Sequence, residues 1–234
     1  MSIFTGTLGR SEGLLAVDTV AVAPFDTAIR MHTSKSYVVP HLGCVFATRG
    51  AVVFPANMLT TVVNTPLADF DALLGALESL AERAYQESAP YLNRHGLTHQ
   101  VELMAMGWSA AEGRVVAAML TNAPAGRPNV YGDHVADAPD FERIDVPDGF
   151  FMLPGIDAPA QAVLAAEWRR ATMPRARIIA AAKAQRTFTD RQFPGFIGGR
   201  LILNTVTRNG VDVRVIYEWP DGLAMPTDAA EVAA

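Results

Sequence analysis

The sequence is nearly free of cysteine: Cys44 is the single one among 234 residues, so no disulfide can form within the chain. Cys44 lies in the apolar run from Gly43 to Ala47, which predicts a buried thiol that packs as a small apolar side chain. No apolar stretch approaches the roughly 18 residues of a membrane-spanning helix. The amino terminus also lacks the basic and apolar regions of a secretory signal. These absences predict a cytoplasmic protein in a reducing compartment, with no membrane partner.

An excess of positive charge is also missing. The chain carries 19 lysines and arginines against 24 aspartates and glutamates, which gives a net charge of −5. This balance argues against nucleic acid as a partner, because nucleic-acid-binding surfaces are basic. The one basic cluster is typical of a solvated helix face, and it contains Arg169, Arg170, Arg175 and Arg177.

Residue patterns that bind metals or nucleotides are absent as well. The histidines have no metal-ligand spacing: His32, His41, His95, His99 and His134. The glycines at 195, 198 and 199 precede a predicted strand, whereas a dinucleotide fingerprint opens a helix. We therefore expect no cofactor and no metal.

Four pairs of predicted strands follow one another along the chain. Each pair is joined by a short polar or glycine-containing turn, and Asn209-Gly210 is the strongest two-residue hairpin signal. The predicted strands are Ile3–Leu8 with Leu14–Ala23, Ser36–Val39 with Cys44–Ala47, Gln100–Met106 with Arg114–Thr121, and Arg200–Arg208 with Val211–Glu218.

Two pairs of predicted helices separate these strands. Apolar residues recur at helical spacing in Asp69–Gln86, and the preceding Ala51–Val63 is apolar enough to form a helix. The second pair is Ala158–Arg170 and Arg175–Thr187, which Pro174 separates. Asp69 and Asp157 are the predicted N-caps of the second and third helices. Between the pairs, Ala123–Gly149 is rich in Pro, Gly and Asp and predicts loops with short strands.

Strands in runs followed by helices in runs predict an α+β architecture. Two antiparallel sheets, each covered on its outer face by a helix pair, would bury every apolar face. We expect one domain over residues 1–222 and a flexible tail over 223–234.

Four segments resemble the β-type subunits of the proteasome, which are N-terminal-nucleophile (Ntn) hydrolases. They occur in the family's order, and together the resemblance covers most of the chain: Gly13–Thr19, Lys35–Ala47, Met104–Trp108 and Gly198–Leu203. The resemblance implies a four-layer αββα sandwich. It also implies self-association through the outer helices.

The resemblance further implies a catalytic site. Its nucleophile would be the hydroxyl of Ser2, bared by removal of Met1 and activated by its own α-amine. Asp18 would orient the ammonium of Lys35, and Thr48 lies where the family places its oxyanion donor. Without catalysis, Asp18 and Lys35 would still form an ion pair that closes the end of a sheet.

Several positions depart from the family's pattern. The usual nucleophile is threonine, and the small residues after the buried strand are replaced by Thr48-Arg49, whose side chains would crowd a substrate. The family's Gly-Ser-Gly is replaced by Leu153-Pro154-Gly155, and its Asp-x-x-Ser before the paired glycines is absent, with Phe196-Ile197 in that position.

Two interpretations follow. The departures favour a fold with weakened or lost catalysis that serves in assembly or binding, as a bacterial component or as a phage component in a virion. The alternative is an active N-terminal serine amide hydrolase, or self-compartmentalising peptidase, that uses Ser2, Asp18 and Lys35.

Overall fold

The computed structural model describes residues 2–22, 30–97, 99–122, 141–191 and 193–220. Most of the predicted loop segment (123–140) and the predicted tail (223–234) lie outside these described residues. The single-domain boundaries therefore stay a prediction.

The described residues form twelve strands, four α-helices and a short 3-10 helix at Pro40–Leu42. The first half contains β1 (Phe4–Leu8), β2 (Glu12–Asp18), β3 (Val20–Val22), β4 (Arg30–His32), β5 (Ser36–Val39), β6 (Cys44–Arg49), α1 (Val53–Val63) and α2 (Phe70–His95). The second half contains β7 (Glu102–Ser109), β8 (Arg114–Thr121), β9 (Glu142–Asp145), β10 (Gly149–Leu153), α3 (Ala158–Arg170), α4 (Pro174–Asp190), β11 (Arg200–Thr207) and β12 (Gly210–Glu218).

Ten of the strands form two antiparallel five-stranded sheets. The first sheet has the order β10-β1-β2-β11-β12, and the second has the order β5-β6-β7-β8-β9. The remaining strands, β3 and β4, pair with each other. All four predicted strand pairs are therefore present, and β9 and β10 extend the sheets at their edges.

The two sheets face each other across an apolar core. Phe4, Leu15, Val17, Val45 and Met104 lie between them and are fully buried. The opposite face of β2 is buried as well, because Leu14 and Ala16 pack with Ile178 of α4. Burial of both faces explains why β2 is a continuous apolar run rather than an alternating one.

Helices cover both outer faces. Phe54 of α1 and Leu73 and Leu77 of α2 pack with Phe46 on the second sheet. The helix α4 covers the first sheet, and α3 packs on α4 through Ala160. The predicted four-layer αββα sandwich of the α+β class is confirmed.

The helix α2 is longer than its pattern predicts. Its N-cap is Asp69 as expected, with the side chain accepting a hydrogen bond from the N–H of Ala72 at 2.8 Å, but it ends at His95 rather than Gln86. Pro90 lies inside the helix and lacks the N–H that would bond the carbonyl four residues back, at Gln86. The helix continues because Leu92 is fully buried in the core.

The predicted strand Leu14–Ala23 divides into β2 and β3. The division falls at Thr19, directly after Asp18, and β3 turns away from the sheet to pair with the three residues of β4. None of the described helices combines the length and the apolar composition that a membrane crossing requires.

Two glycines offer a matched test of the packing. A Cβ at Gly107 in β7 would lie 2.5 Å from a ring atom of Phe70, whereas a Cβ at Gly75 in the exposed face of α2 meets nothing within 4 Å. We expect Gly107→Ala to lower the free energy of unfolding by about 1–3 kcal/mol. Gly75→Ala should raise it by about 0.5–1 kcal/mol. Urea unfolding measures both, and equal effects would contradict the packing of Phe70 on β7.

Cys44 is fully buried in β6, and burial raises the pKa of its thiol to about 12. A raised thiol pKa disfavours the reactive thiolate, so we expect no labelling of the native protein by iodoacetamide at pH 8. Labelling should become complete in guanidinium chloride, and the two states are compared by mass spectrometry. Rapid labelling of the native protein would contradict the predicted buried thiol.

Candidate active site

A buried ion pair joins the ends of the two sheets. Asp18 is the last residue of β2, and Lys35 directly precedes β5. The Lys35 Nζ lies 2.9 Å from Oδ1 and 2.8 Å from Oδ2 of Asp18. Asp18 is fully buried and Lys35 is 7% exposed. Each sheet therefore contributes one charge to a contact that neither could form alone.

Backbone N–H groups complete the surroundings of the Asp18 carboxylate. Oδ1 accepts from the N–H of Ile3 at 3.2 Å. Oδ2 accepts from the N–H groups of Val20 at 3.3 Å and Gly198 at 3.4 Å. These donors replace the water that the carboxylate loses on burial and fix its orientation.

Ser2 lies beside this pair. It is 6% exposed and precedes Ile3, whose N–H donates to Asp18. The structure therefore brings three of the four predicted site residues to one end of the sandwich: Ser2, Asp18 and Lys35.

Thr48 lies next to Lys35, but its N–H already has a partner. This N–H donates to the carbonyl oxygen of Lys35 at 3.0 Å, which extends the ladder between β5 and β6. The role of Thr48 as an oxyanion donor stays a prediction, and it requires this N–H to exchange the Lys35 carbonyl for the substrate.

A second ion pair lies between the sheets near the first. Arg49 ends β6 and faces Glu102 of β7, and its Nη1 lies 2.5 Å from Oε2 of Glu102. Arg49 is 5% exposed, and its guanidinium stacks over the ring of Phe4 at 5.9 Å from the centroid. A side chain at this position was expected to crowd a substrate, but the Arg49 side chain points into the core between the sheets.

The electrostatics of the site lower the proton affinity of Lys35. Burial lowers the pKa of Lys35, Asp18 opposes this shift, and the positive charge of Arg49 reinforces it. An amine with a lowered pKa releases and regains a proton more readily than an exposed lysine. Such a group suits a reaction in which a hydroxyl proton is moved.

The paired glycines approach the site from β11. A Cβ at Gly199, which has φ +70°, would lie 2.6 Å from both His32 Cε1 and Thr19 Oγ1. Thr19 Oγ1 accepts from the N–H of Arg200 at 2.9 Å and lies 3.0 Å from Nδ1 of His32. His32 was not predicted as a site residue, because nothing in the sequence signals its contact with Thr19, the residue after Asp18.

Among the described residues, no group of three or more His, Cys, Asp or Glu side chains could hold a metal ion.

Two facing antiparallel sheets between helix pairs, with a lysine–carboxylate pair beside the start of the first strand, define the Ntn-hydrolase fold of proteasome β-type subunits. Solved structures confirm this class. The chain is similar to Anbu, an ancestral beta-subunit, from Yersinia bercovieri, with a TM-score of 0.57, 11% identity, and coverage of 93% of this chain and 88% of that one.

Anbu from Hyphomicrobium sp. strain MC1 matches with a TM-score of 0.53 and 14% identity, covering 95% of this chain and 89% of that one. A Gly-1 mutant of the same protein matches with the same TM-score and identity, covering 95% of this chain and 90% of the mutant. No protein-family model and no curated protein matches the sequence. At such low identity the similarity establishes the fold, and the activity has to be argued from the site.

Removal of one charge from the Asp18–Lys35 pair should strongly destabilise the folded protein. We expect Lys35→Met to lower the free energy of unfolding by about 3–5 kcal/mol, because it leaves the Asp18 carboxylate buried without its counter-ion. Arg83→Ala breaks the exposed pair with Glu87 and should cost less than about 1 kcal/mol. Urea unfolding of both variants tests this difference. An unchanged stability of Lys35→Met would show that Asp18 does not depend on Lys35.

Proposed function

We propose that this chain is a proteasome-β-like amide hydrolase whose nucleophile is the hydroxyl of Ser2, freed as the terminal residue by removal of Met1. One observation carries the proposal: the Asp18 carboxylate binds the Lys35 ammonium and also the N–H of Ile3, the residue after Ser2. A single buried group thereby positions both the charge and the segment that bears the hydroxyl. Such preorganisation is what catalysis requires.

The reaction would begin at the free amino group of Ser2. The neutral amine takes the proton of the Ser2 hydroxyl, and the oxygen attacks the carbonyl carbon of an amide. The carbonyl oxygen becomes negatively charged, and the Lys35 ammonium stabilises negative charge at the site. The amine then passes its proton to the leaving nitrogen, the C–N bond breaks, and an ester of Ser2 remains. Attack of water on this ester releases the acid and restores Ser2.

A second candidate is a subunit with weak or no catalysis that works in assembly or binding. The Arg49–Glu102 pair favours it, because it places a second buried salt bridge close to Lys35, where the family has small residues. Lys35 and Asp18 would then serve as a structural pair. This subunit would be a bacterial component or part of a phage particle.

Self-association through the outer helices is part of both candidates. Large apolar side chains on these helices support it, since Val63 of α1, Tyr91 of α2 and Val163 of α3 expose 65%, 46% and 47% of their surface. Exposed apolar side chains of this size contribute readily to contacts between subunits.

The intact mass of the purified protein is the first test. We expect the mass of the chain without Met1 and with a free amino group at Ser2. Incubation with a hydroxyl-reactive fluorophosphonate should then add one label at Ser2, located by peptide mass spectrometry.

Variants make this test specific. Ser2→Ala should abolish labelling, and Lys35→Met should slow it about 100-fold or more, in line with the loss of a group that stabilises negative charge during the reaction. Ser34→Ala is the matched control, because Ser34 has an exposed hydroxyl that donates to the Ser36 carbonyl at 2.6 Å. Retention of Met1, acetylation of Ser2, or labelling that survives Ser2→Ala would refute the hydrolase and leave the non-catalytic subunit.

A further inference from the structure

The outer edge of the first sheet is formed by β12, whose one strand neighbour in the described part of the chain is β11. The middle of β12 is exposed over Asp212–Val215. Val213 and Val215 expose 47% and 45% of their surface. An edge strand with exposed apolar side chains is a template for pairing with another strand.

The register of the β11–β12 hairpin shows which backbone groups of β12 point away from β11. Thr207 and Gly210 face each other across the two-residue turn and form a hydrogen-bonded pair. Hydrogen-bonded and non-hydrogen-bonded pairs alternate along an antiparallel ladder, so Asp212 and Arg214 also bond to β11. The N–H and C=O groups of Val211, Val213 and Val215 therefore point away from the sheet.

The sequence of this edge is symmetric about Val213. Asp212 and Arg214 flank Val213 and have opposite charges. Val211 and Val215 follow on either side. Within one chain, Arg214 Nε lies 2.6 Å from Asp212 Oδ2, and their side chains are 73% and 55% exposed. Both charges are thus held on one face of the strand, accessible to a second chain.

We propose that β12 pairs antiparallel with β12 of a second copy, about a twofold axis at Val213. Val213 would face Val213 of the second copy, and Val211 would face Val215. The outward N–H and C=O groups would form about six new hydrogen bonds and join two sheets into one.

Charge complementarity selects a second copy as the partner. In this register Asp212 faces Arg214 of the second copy, and the twofold axis repeats the contact. These positions are non-hydrogen-bonded pairs, in which facing side chains are closest. A strand of unrelated sequence would place other residues opposite this Asp–Val–Arg centre and would lose both salt bridges.

Charge reversal tests the pairing directly. Asp212→Arg alone places arginine against arginine, and Arg214→Asp alone places aspartate against aspartate. We expect each variant to raise the dimer dissociation constant about tenfold or more, because two cross-strand attractions become repulsions. The double variant D212R/R214D restores complementarity and should dimerise as the wild type does. An equimolar mixture of the two single variants should form heterodimers. Sedimentation equilibrium measures all of these.

A backbone variant and a control locate the contact. Val213→Pro removes an outward N–H and should abolish the β12 contact while the protein stays folded, since an edge strand tolerates proline where its N–H faces solvent. Glu112→Gln alters an exposed side chain in the turn between β7 and β8, away from β12 and the outer helices, and should leave the β12 dimer unchanged. Circular dichroism confirms that each variant is folded.

A wild type that stays monomeric, a dimer that is insensitive to the charge reversals, or a mixture that forms no heterodimer would overturn the proposal. This contact does not depend on the proposed hydrolysis. Ser2→Ala should therefore leave the dimer unchanged. A wild-type protein that does not react with the fluorophosphonate should also still dimerise through β12.

Discussion

The structure depends on one buried carboxylate. Asp18 is fully buried at the end of β2, where Lys35 and three backbone N–H groups take the place of the water that its carboxylate loses. Three of these four donors come from distant parts of the chain: the start of the chain, the segment before β5, and the paired glycines before β11. The ends of both sheets are thus fixed around one side chain, and any chemistry at Ser2 uses the same frame.

The second ion pair, between Arg49 and Glu102, lies within one sheet and does not hold the two sheets together. Arg49 and Glu102 lie opposite each other on neighbouring strands of one sheet, so they do not join separate layers. Buried pairs of this kind contribute little net stability compared with apolar residues of similar size. Their effect is on the charge of the site, because Arg49 opposes the protonated form of Lys35.

Local signals predicted most of the fold. The hairpin around Asn209-Gly210 and the N-cap at Asp69 act over a few residues, and both occur as predicted. The predicted end of α2 at Gln86 was wrong, because the burial of Leu92 outweighs the backbone hydrogen bond that Pro90 cannot form. The pairing of β10 with β1 could not be derived, since it depends on contacts between residues far apart in sequence.

The candidate site, like the fold, was predicted only in part. Family resemblance singled out Ser2, Asp18 and Lys35, and the structure brings them together. The contact between Arg49 and Glu102 requires the register of β6 on β7, which no local pattern specifies. The engagement of the Thr48 N–H by Lys35 likewise follows from the pairing of β5 with β6, and not from the identity of either residue.

The burial of Ser2 has a consequence for the order of events during synthesis. Ile3, the residue after Ser2, packs against the last two strands, and the N–H of Gly198 reaches Asp18 from 180 residues further along the chain. At ordinary translation rates that interval lasts roughly 10–40 s. Until the last strands are made, Ser2 cannot take up its buried position, and an aminopeptidase on the ribosome can act on the residue before it. On the proposed mechanism, a molecule becomes active only if Met1 is removed, and this removal competes in time with the folding of the last strands over Ser2.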